Sequence, residues 1–224
     1  MTGMLASVNS SDEVDLILQT SVGIIDLKNP SQGALGALPT DLVSHIVKQV
    51  NKNKPVSATV GDLPMQAELV FNAVSDMSKT GVDYIKIGFF PEGDWQATVS
   101  RLSEITQQGY QLIAVLFADT QIDIAIIDSL KKAGFAGVML DTMDKSKGSL
   151  LDVLPYSDIT AFVEKAKSSQ LLCGLAGSLK QSNIPELMPL NADYLGFRGA
   201  LCEQHKRTAQ LNNQAINNIL GYFE

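Results

Sequence analysis

The chain has 224 residues, of which 45% are hydrophobic, 6% aromatic and 18% charged, with 17 glycines and a formal net charge of −7. A charged fraction below the roughly 25% of an average soluble domain means that much of the chain is buried on more than one face. That excludes a disordered chain, a coiled coil and a thin two-layer sheet with one wet face. The acidic balance, with a pI near 4.8, leaves no electrostatic footprint for nucleic acid or for an anionic membrane, so an anionic ligand has to be held by a local cluster of basic residues.

Short apolar runs alternate along the chain with longer stretches at helical period, the pattern of repeated βα units. In chain order, strands are expected at 4–9, 22–28, 56–61, 84–90, 111–119, 137–142, 172–179 and 194–200, and none of them contains a proline. Ser10, Ser11 and Asp12 can cap the first helix, with Glu13 and Asp15 favourably placed in its first turn. Pro39, Pro64 and Pro185 fall at helix starts, and Gly81, Gly109 and Gly134 follow helices. Leu69, Val70, Ala73, Val74 and Met77 form one apolar stripe that should pack on a sheet. The longest interruption, 142–158, is rich in Asp, Lys, Ser and Gly and reads as an active-site loop. Eight such units in one chain of this length predict an α/β fold, a (β/α)8 TIM barrel forming a single domain over 1–224. An open doubly wound sheet is the alternative, but no G-x-G-x-x-G turn follows the first strand.

The two cysteines, Cys173 and Cys202, are too few and too distant for a disulfide framework and lack C-x-x-C spacing, so both read as small hydrophobes in a reducing compartment. The first fifteen residues have no basic n-region, and nowhere do ~18 apolar residues run together. A cytoplasmic protein that does not engage membrane is expected.

In a barrel the site lies where strands run into the following helices, and several strands end there in ionisable groups. Asp26 and Lys28 are two apart and share a strand face. Lys86 lies between Ile85 and Ile87, Asp141 ends the sixth strand with Lys145 shortly after it, and Asp119 ends the fifth. Asp119 reads equally well as a cap for the next helix, and Lys145 and Lys147 as solvated loop residues. Lys28 and Lys86 differ, because a lysine in a strand buried on both faces is expelled unless paired. A structural Lys–Asp pair is one explanation. The other is chemical: a desolvated lysine beside another cation has a lowered pKa, so its neutral amine can attack a carbonyl and form a Schiff base while carboxylates move protons. Neither His45 nor His205 is placed to compete, and no His, Cys and carboxylate cluster suggests a metal.

Phosphate is the expected handle of a small-molecule substrate. Barrels bind it with backbone N–H groups after strands seven and eight, where this chain reads AGSLK and FRGA. Gly177 and Gly199 allow close approach, Ser178 can donate, and Arg198 or Arg207 could clamp the anion. The competing reading is that these glycines merely make tight βα turns.

The runs IIDLKNPSQGALGA, VSATVGDLP, DYIKIG, MLDTMDKSKGSLLD, CGLAGSLK and GFRGALC resemble, in order and over nearly the whole chain, the (5-formylfuran-3-yl)methyl phosphate synthase family. The resemblance implies a lyase that condenses two molecules of glyceraldehyde 3-phosphate into 4-(hydroxymethyl)-2-furancarboxaldehyde phosphate, with loss of phosphate and water, toward methanofuran or its methylotroph counterpart. It implies no cofactor. Carried over by position, the Schiff-base lysine falls on Lys28 with Asp26 beside it, the second strand lysine on Lys86, and the sixth-loop pair on Asp141 and Lys145. Where relatives run through a Gly-rich basic stretch such as CKGGDR, this chain reads CEQHKR, keeping after the shared cysteine only the final Arg207; the backbone at Gly177, Ser178 and Gly199 is then the favoured phosphate site. A homo-oligomer is the expected assembly. The competing readings are a ribulose-phosphate-type decarboxylase or isomerase, in which D-x-K ends a strand without a covalent lysine, a plain class I aldolase acting on triose phosphates, and an inactive scaffold barrel.

Overall fold

The computed structural model describes residues 1–121 and 123–223. Its eight strands, all parallel, are β1 (Gly3–Val8), β2 (Ile24–Leu27), β3 (Val56–Thr59), β4 (Tyr84–Phe89), β5 (Leu112–Phe117), β6 (Gly137–Asp141), β7 (Leu172–Leu175) and β8 (Tyr194–Phe197). They pair in sequence order and close into a barrel, with β8 returning onto β1. The helices outside it are α1 (Ser11–Leu18), α2 (Thr40–Val50), α3 (Ala67–Ser78), α4 (Trp95–Thr106), α5 (Ile126–Lys132), α6 (Leu150–Val153), α7 (Tyr156–Ser168), α8 (Ile184–Leu187) and α9 (Asn213–Leu220). None of the described helices is long and apolar enough to cross a membrane.

The even mix of apolar residues along each strand reflects two dry faces. Successive side chains point to opposite sides of a strand, so Ala6, Val8, Ile25, Leu27, Ile85 and Ile87 pack outward under the helices. Leu5, Ile113, Val115, Phe117, Met139 and Tyr194 point inward and fill the barrel. This is why the sequence shows continuous apolar runs instead of alternation.

The strands sit where the apolar runs placed them, but they end sooner. β7 stops at Leu175 and β8 at Phe197, because the chain there turns across the barrel mouth. Gly177, at φ +107°, makes that turn, and a Cβ on it would stand 2.9 Å from Thr142 Cγ2. Ser10 caps α1 by accepting from Glu13 N–H at 3.3 Å, and Gly81, Gly109 and Gly134 all have positive φ. The α3 stripe is narrower than expected. Val70, Val74 and Met77, at i, i+4 and i+7, are buried, whereas Leu69 lies beside that line and is 41% exposed. The long 142–158 segment is ordered by a short turn at Lys145–Lys147 and by α6, whose Ser149 and Asp152 form a capping box.

Candidate active site

The floor of the site follows from strand register. Ser7, Asp26 and Ser57 are direct neighbours across β1, β2 and β3, and all three point into the barrel. Asp26, fully buried, accepts from Ser7 Oγ at 2.9 Å, from Ser57 Oγ at 2.6 Å and from Lys86 Nζ at 3.0 Å. Burial alone would raise the Asp26 carboxyl, but the Lys86 and Lys28 ammoniums and these hydrogen bonds hold it below the usual carboxylate range. Asp26 and Lys86 are therefore a buried ion pair whose carboxylate also takes two serine hydroxyls. The sequence pointed to both members, but not to Ser7 and Ser57. The available signal was a serine at the inward phase of an otherwise apolar strand.

One layer above, Asp141 at the end of β6 lies between two lysines. Its Oδ2 is 3.8 Å from Lys28 Nζ, and its Oδ1 accepts from Lys145 Nζ, which also donates to the Thr142 carbonyl. Burial pushes the Asp141 carboxyl up, yet Lys145 and Lys28 outweigh it and hold the group at about 2. Lys28 directly follows β2, where its backbone N–H still donates to Val8 O. Its side chain is buried. Among the described residues its Nζ has no hydrogen bond closer than the Asp141 contact. Burial first, and the charges of Lys145 and Lys86 next, depress its ammonium to about 8 against the opposing pull of Asp141 and Asp26. The neutral amine is thus accessible near neutral pH.

These groups open into a cavity of about 930 Å³ at the C-terminal ends of the strands. Lys28, Lys86, Asp141 and Lys145 line its depth, and Gly177, Ser178, Gly199 and Ala200 line one wall. Among the described residues, no protein acceptor lies within hydrogen-bond distance of the Gly177, Ser178, Gly199 or Ala200 amide N–H, so this wall presents donors to the cavity. Arg198 is differently engaged from what the sequence suggested. Its guanidinium donates to Glu13 through two nitrogens and to the carbonyls of Ser7, Arg207 and Ala209. All five of its N–H donors are taken, which leaves none for an anion. Arg207 lines the cavity with one donor fixed on the Gly33 carbonyl at 2.8 Å. His205 lines the rim as well, a position the polar CEQHKR stretch did not reveal.

Asp119 is neither a helix cap nor part of the cavity lining. Its carboxylate accepts from Met143 N–H at 2.6 Å and Asp144 N–H at 2.8 Å, pinning the loop that delivers Lys145. Asp62 does the same for the segment after β2, accepting from Ala34 and Leu35 N–H at 2.8 and 2.7 Å. A Cβ on Gly33 would fall 1.9 Å from Asp62 Oδ2, so only glycine fits there. Lys147 is half exposed, 3.8 Å from Asp119.

The family model described as 4-HFC-P synthase matches residues 4–220. Over 216 residues the chain is 32% identical to the (5-formylfuran-3-yl)methyl phosphate synthase of Methanopyrus kandleri, covering 91% of each chain. It is 30% identical over 228 residues to the protein of that name from Methanocaldococcus jannaschii, covering 97% of this chain and 95% of the relative. A relative from Methylorubrum extorquens, to which the name is assigned provisionally, is 36% identical over 214 residues, covering 95% of this chain and 88% of its own. Among solved structures, a 3-hexulose-6-phosphate synthase superposes with a TM-score of 0.69 at 16% identity, covering 99% of both chains. The phosphoribosyl anthranilate isomerase of Thermus thermophilus does so with a TM-score of 0.68 at 12% identity, covering 100% of this chain and 98% of its own. At such identities these two speak for the barrel alone.

Proposed function

The chain belongs to the 4-HFC-P synthase family, the (5-formylfuran-3-yl)methyl phosphate synthases, and from that premise we propose that it joins two glyceraldehyde 3-phosphates into 4-(hydroxymethyl)-2-furancarboxaldehyde phosphate through a Schiff base on Lys28. The product serves methanofuran-type cofactor synthesis. The observation that carries this reading is the buried Lys28 amine, 3.8 Å from Asp141 at the bottom of the 930 Å³ cavity. An amine that is both desolvated and loosely held can reach a carbonyl carbon.

One glyceraldehyde 3-phosphate is isomerised to the ketone, and the aldehyde of the other accepts the Lys28 amine. Lys145 protonates the departing oxygen, water leaves, and an iminium forms. Asp141, kept ionised by its two lysines, takes a proton from the adjacent carbon and yields the enamine. The enamine expels phosphate from the next carbon, the methylene carbon so freed attacks the ketone carbon of the isomerised triose, and Lys86 donates a proton to the developing alkoxide while Asp26 balances its charge. Closure of the ketose's free hydroxyl on the remaining carbonyl and loss of two waters then give the aromatic furan, and hydrolysis of the imine takes up one water to free the aldehyde and release Lys28. Two triose phosphates thus give one furan phosphate, one inorganic phosphate and two waters. Backbone N–H groups at Gly177, Ser178 and Gly199 hold a substrate phosphate, with Arg207 in the clamping role that Arg198 cannot fill.

The reading is tested by incubating the protein with glyceraldehyde 3-phosphate while following furaldehyde absorbance and phosphate release. The expected result is one phosphate per furan in the wild type and loss of both signals in Lys28→Arg, which keeps the charge but not a nucleophilic amine. Furan formation at the wild-type rate by Lys28→Arg contradicts it.

A further inference from the structure

Lys86 lines two cavities, one on each side of it. The first is the mouth; the second, of about 160 Å³, lies at the N-terminal floor of the barrel, bounded by Leu5, Ile24, Ser57, Tyr84, Ile113, Leu172, Asp193 and Tyr194. Asp193 is exposed, and Ile24, Tyr84 and Leu172 only half-buried, so this space reaches solvent on the face opposite the mouth. Two polar groups turn toward it without a full set of partners. Among the described residues, Lys86 Nζ has a single protein acceptor, Asp26, although an ammonium carries three donors. The Tyr194 hydroxyl has no protein partner there, although its residue is 5% exposed. β7 makes room for that phenol: a Cβ on Gly174 would lie 2.4 Å from the Tyr194 ring and 2.7 Å from its hydroxyl oxygen. Burial, with Asp26 nearby, raises the Tyr194 phenol far above its ordinary value, so it stays protonated. The cavity is roomy by the measure of ~30 Å³ per water in the liquid, and two to four polar partners are what a buried water requires.

We propose that the barrel floor holds an ordered water relay, bound by Lys86 and Tyr194, that returns protons to Lys86 from the side opposite the substrate. The idea rests on the role of Lys86 as proton donor in the reaction above. With substrate filling the mouth, a neutral Lys86 amine has no solvent on that side. The relay water passes a proton to Nζ and is itself reprotonated from solvent at the floor. Only N–H and O–H bonds are exchanged. Tyr194 is a positioning residue: it orients the water and touches no substrate.

Two measurements decide it. A high-resolution crystal structure of the wild-type protein should show water within hydrogen-bond distance of both Lys86 Nζ and Tyr194 Oη, and a dry floor cavity overturns the proposal. Kinetically, Tyr194→Phe removes the hydroxyl and keeps the ring, while Leu172→Phe narrows the cavity from a wall remote from the mouth. Both are expected to keep KM and the borohydride-trapped Lys28 adduct. Their kcat should fall about tenfold or more, the scale of an impaired proton transfer, with a solvent deuterium isotope effect larger than in the wild type. Wild-type kcat and isotope effect in both folded variants overturn the proposal. Absence of a Lys28 adduct in the wild type is a different outcome, one that strikes the Schiff-base reading and leaves the crystallographic test of the water standing.

Discussion

Lys28, just after β2, and Lys86, on β4, are the same residue type at inward positions on either side of β3, and their partners set them apart. Lys86 is 3.0 Å from Asp26, which also accepts from two serines. Lys28 faces Asp141 from 3.8 Å, and that carboxylate is already claimed by Lys145. The loosely paired lysine is the better nucleophile and the tightly paired one the better charge carrier. Because burial lowers the Lys28 ammonium to about 8, its neutral fraction falls about tenfold for each pH unit below that value. The rate of imine formation should therefore rise with pH through neutrality and level off above about 8. Stopped-flow measurement with a triose phosphate checks this, and a rate independent of pH between about 6 and 8 contradicts it. Both lysines were legible in the sequence because an unpaired ammonium cannot survive in a strand buried on both faces. Ser7 and Ser57 were not, since a serine in an apolar strand carries no mark of what it faces until register places Asp26 between them.

At the scale of elements, loops that pin one another shape the mouth. Asp119 fixes the loop after β6, Asp62 the loop after β2, and Arg198 ties α1 to the segment after β8. Arg198 illustrates where sequence reading stops. An arginine after the last strand of a barrel suggests an anion clamp, and its actual partner, Glu13, lies 185 positions away in the chain. Strand positions were legible from the apolar runs, whereas strand ends were not, because the turn at Gly177 answers to the barrel mouth and not to local propensity. Glu13→Ala leaves the Arg198 charge buried without a counter-ion. It should cost ~3–5 kcal/mol of stability and raise KM, since the Arg207 and Ala209 carbonyls are held by the same guanidinium. Denaturant unfolding and steady-state kinetics test both, and a loss under about 1 kcal/mol with unchanged KM contradicts the assignment.

Over the whole molecule the low charge fraction and the acidic balance acquire a location. The chain carries 24 acidic against 17 basic residues, yet among the described residues six lysines and arginines and a single carboxylate, Asp141, line the mouth cavity. A positive cavity in an acidic protein raises the local concentration of anionic ligands at its mouth. The barrel supplies the geometry, because closing β8 onto β1 brings the donors after β7 and β8 around to the lysines of β2 and β4. The most direct measurement is to incubate the protein with glyceraldehyde 3-phosphate, reduce with borohydride and map the adduct by mass spectrometry. Attachment at Lys28 is the predicted result. Attachment at another lysine, or full furan turnover with no reducible adduct at all, would contradict the Schiff-base mechanism.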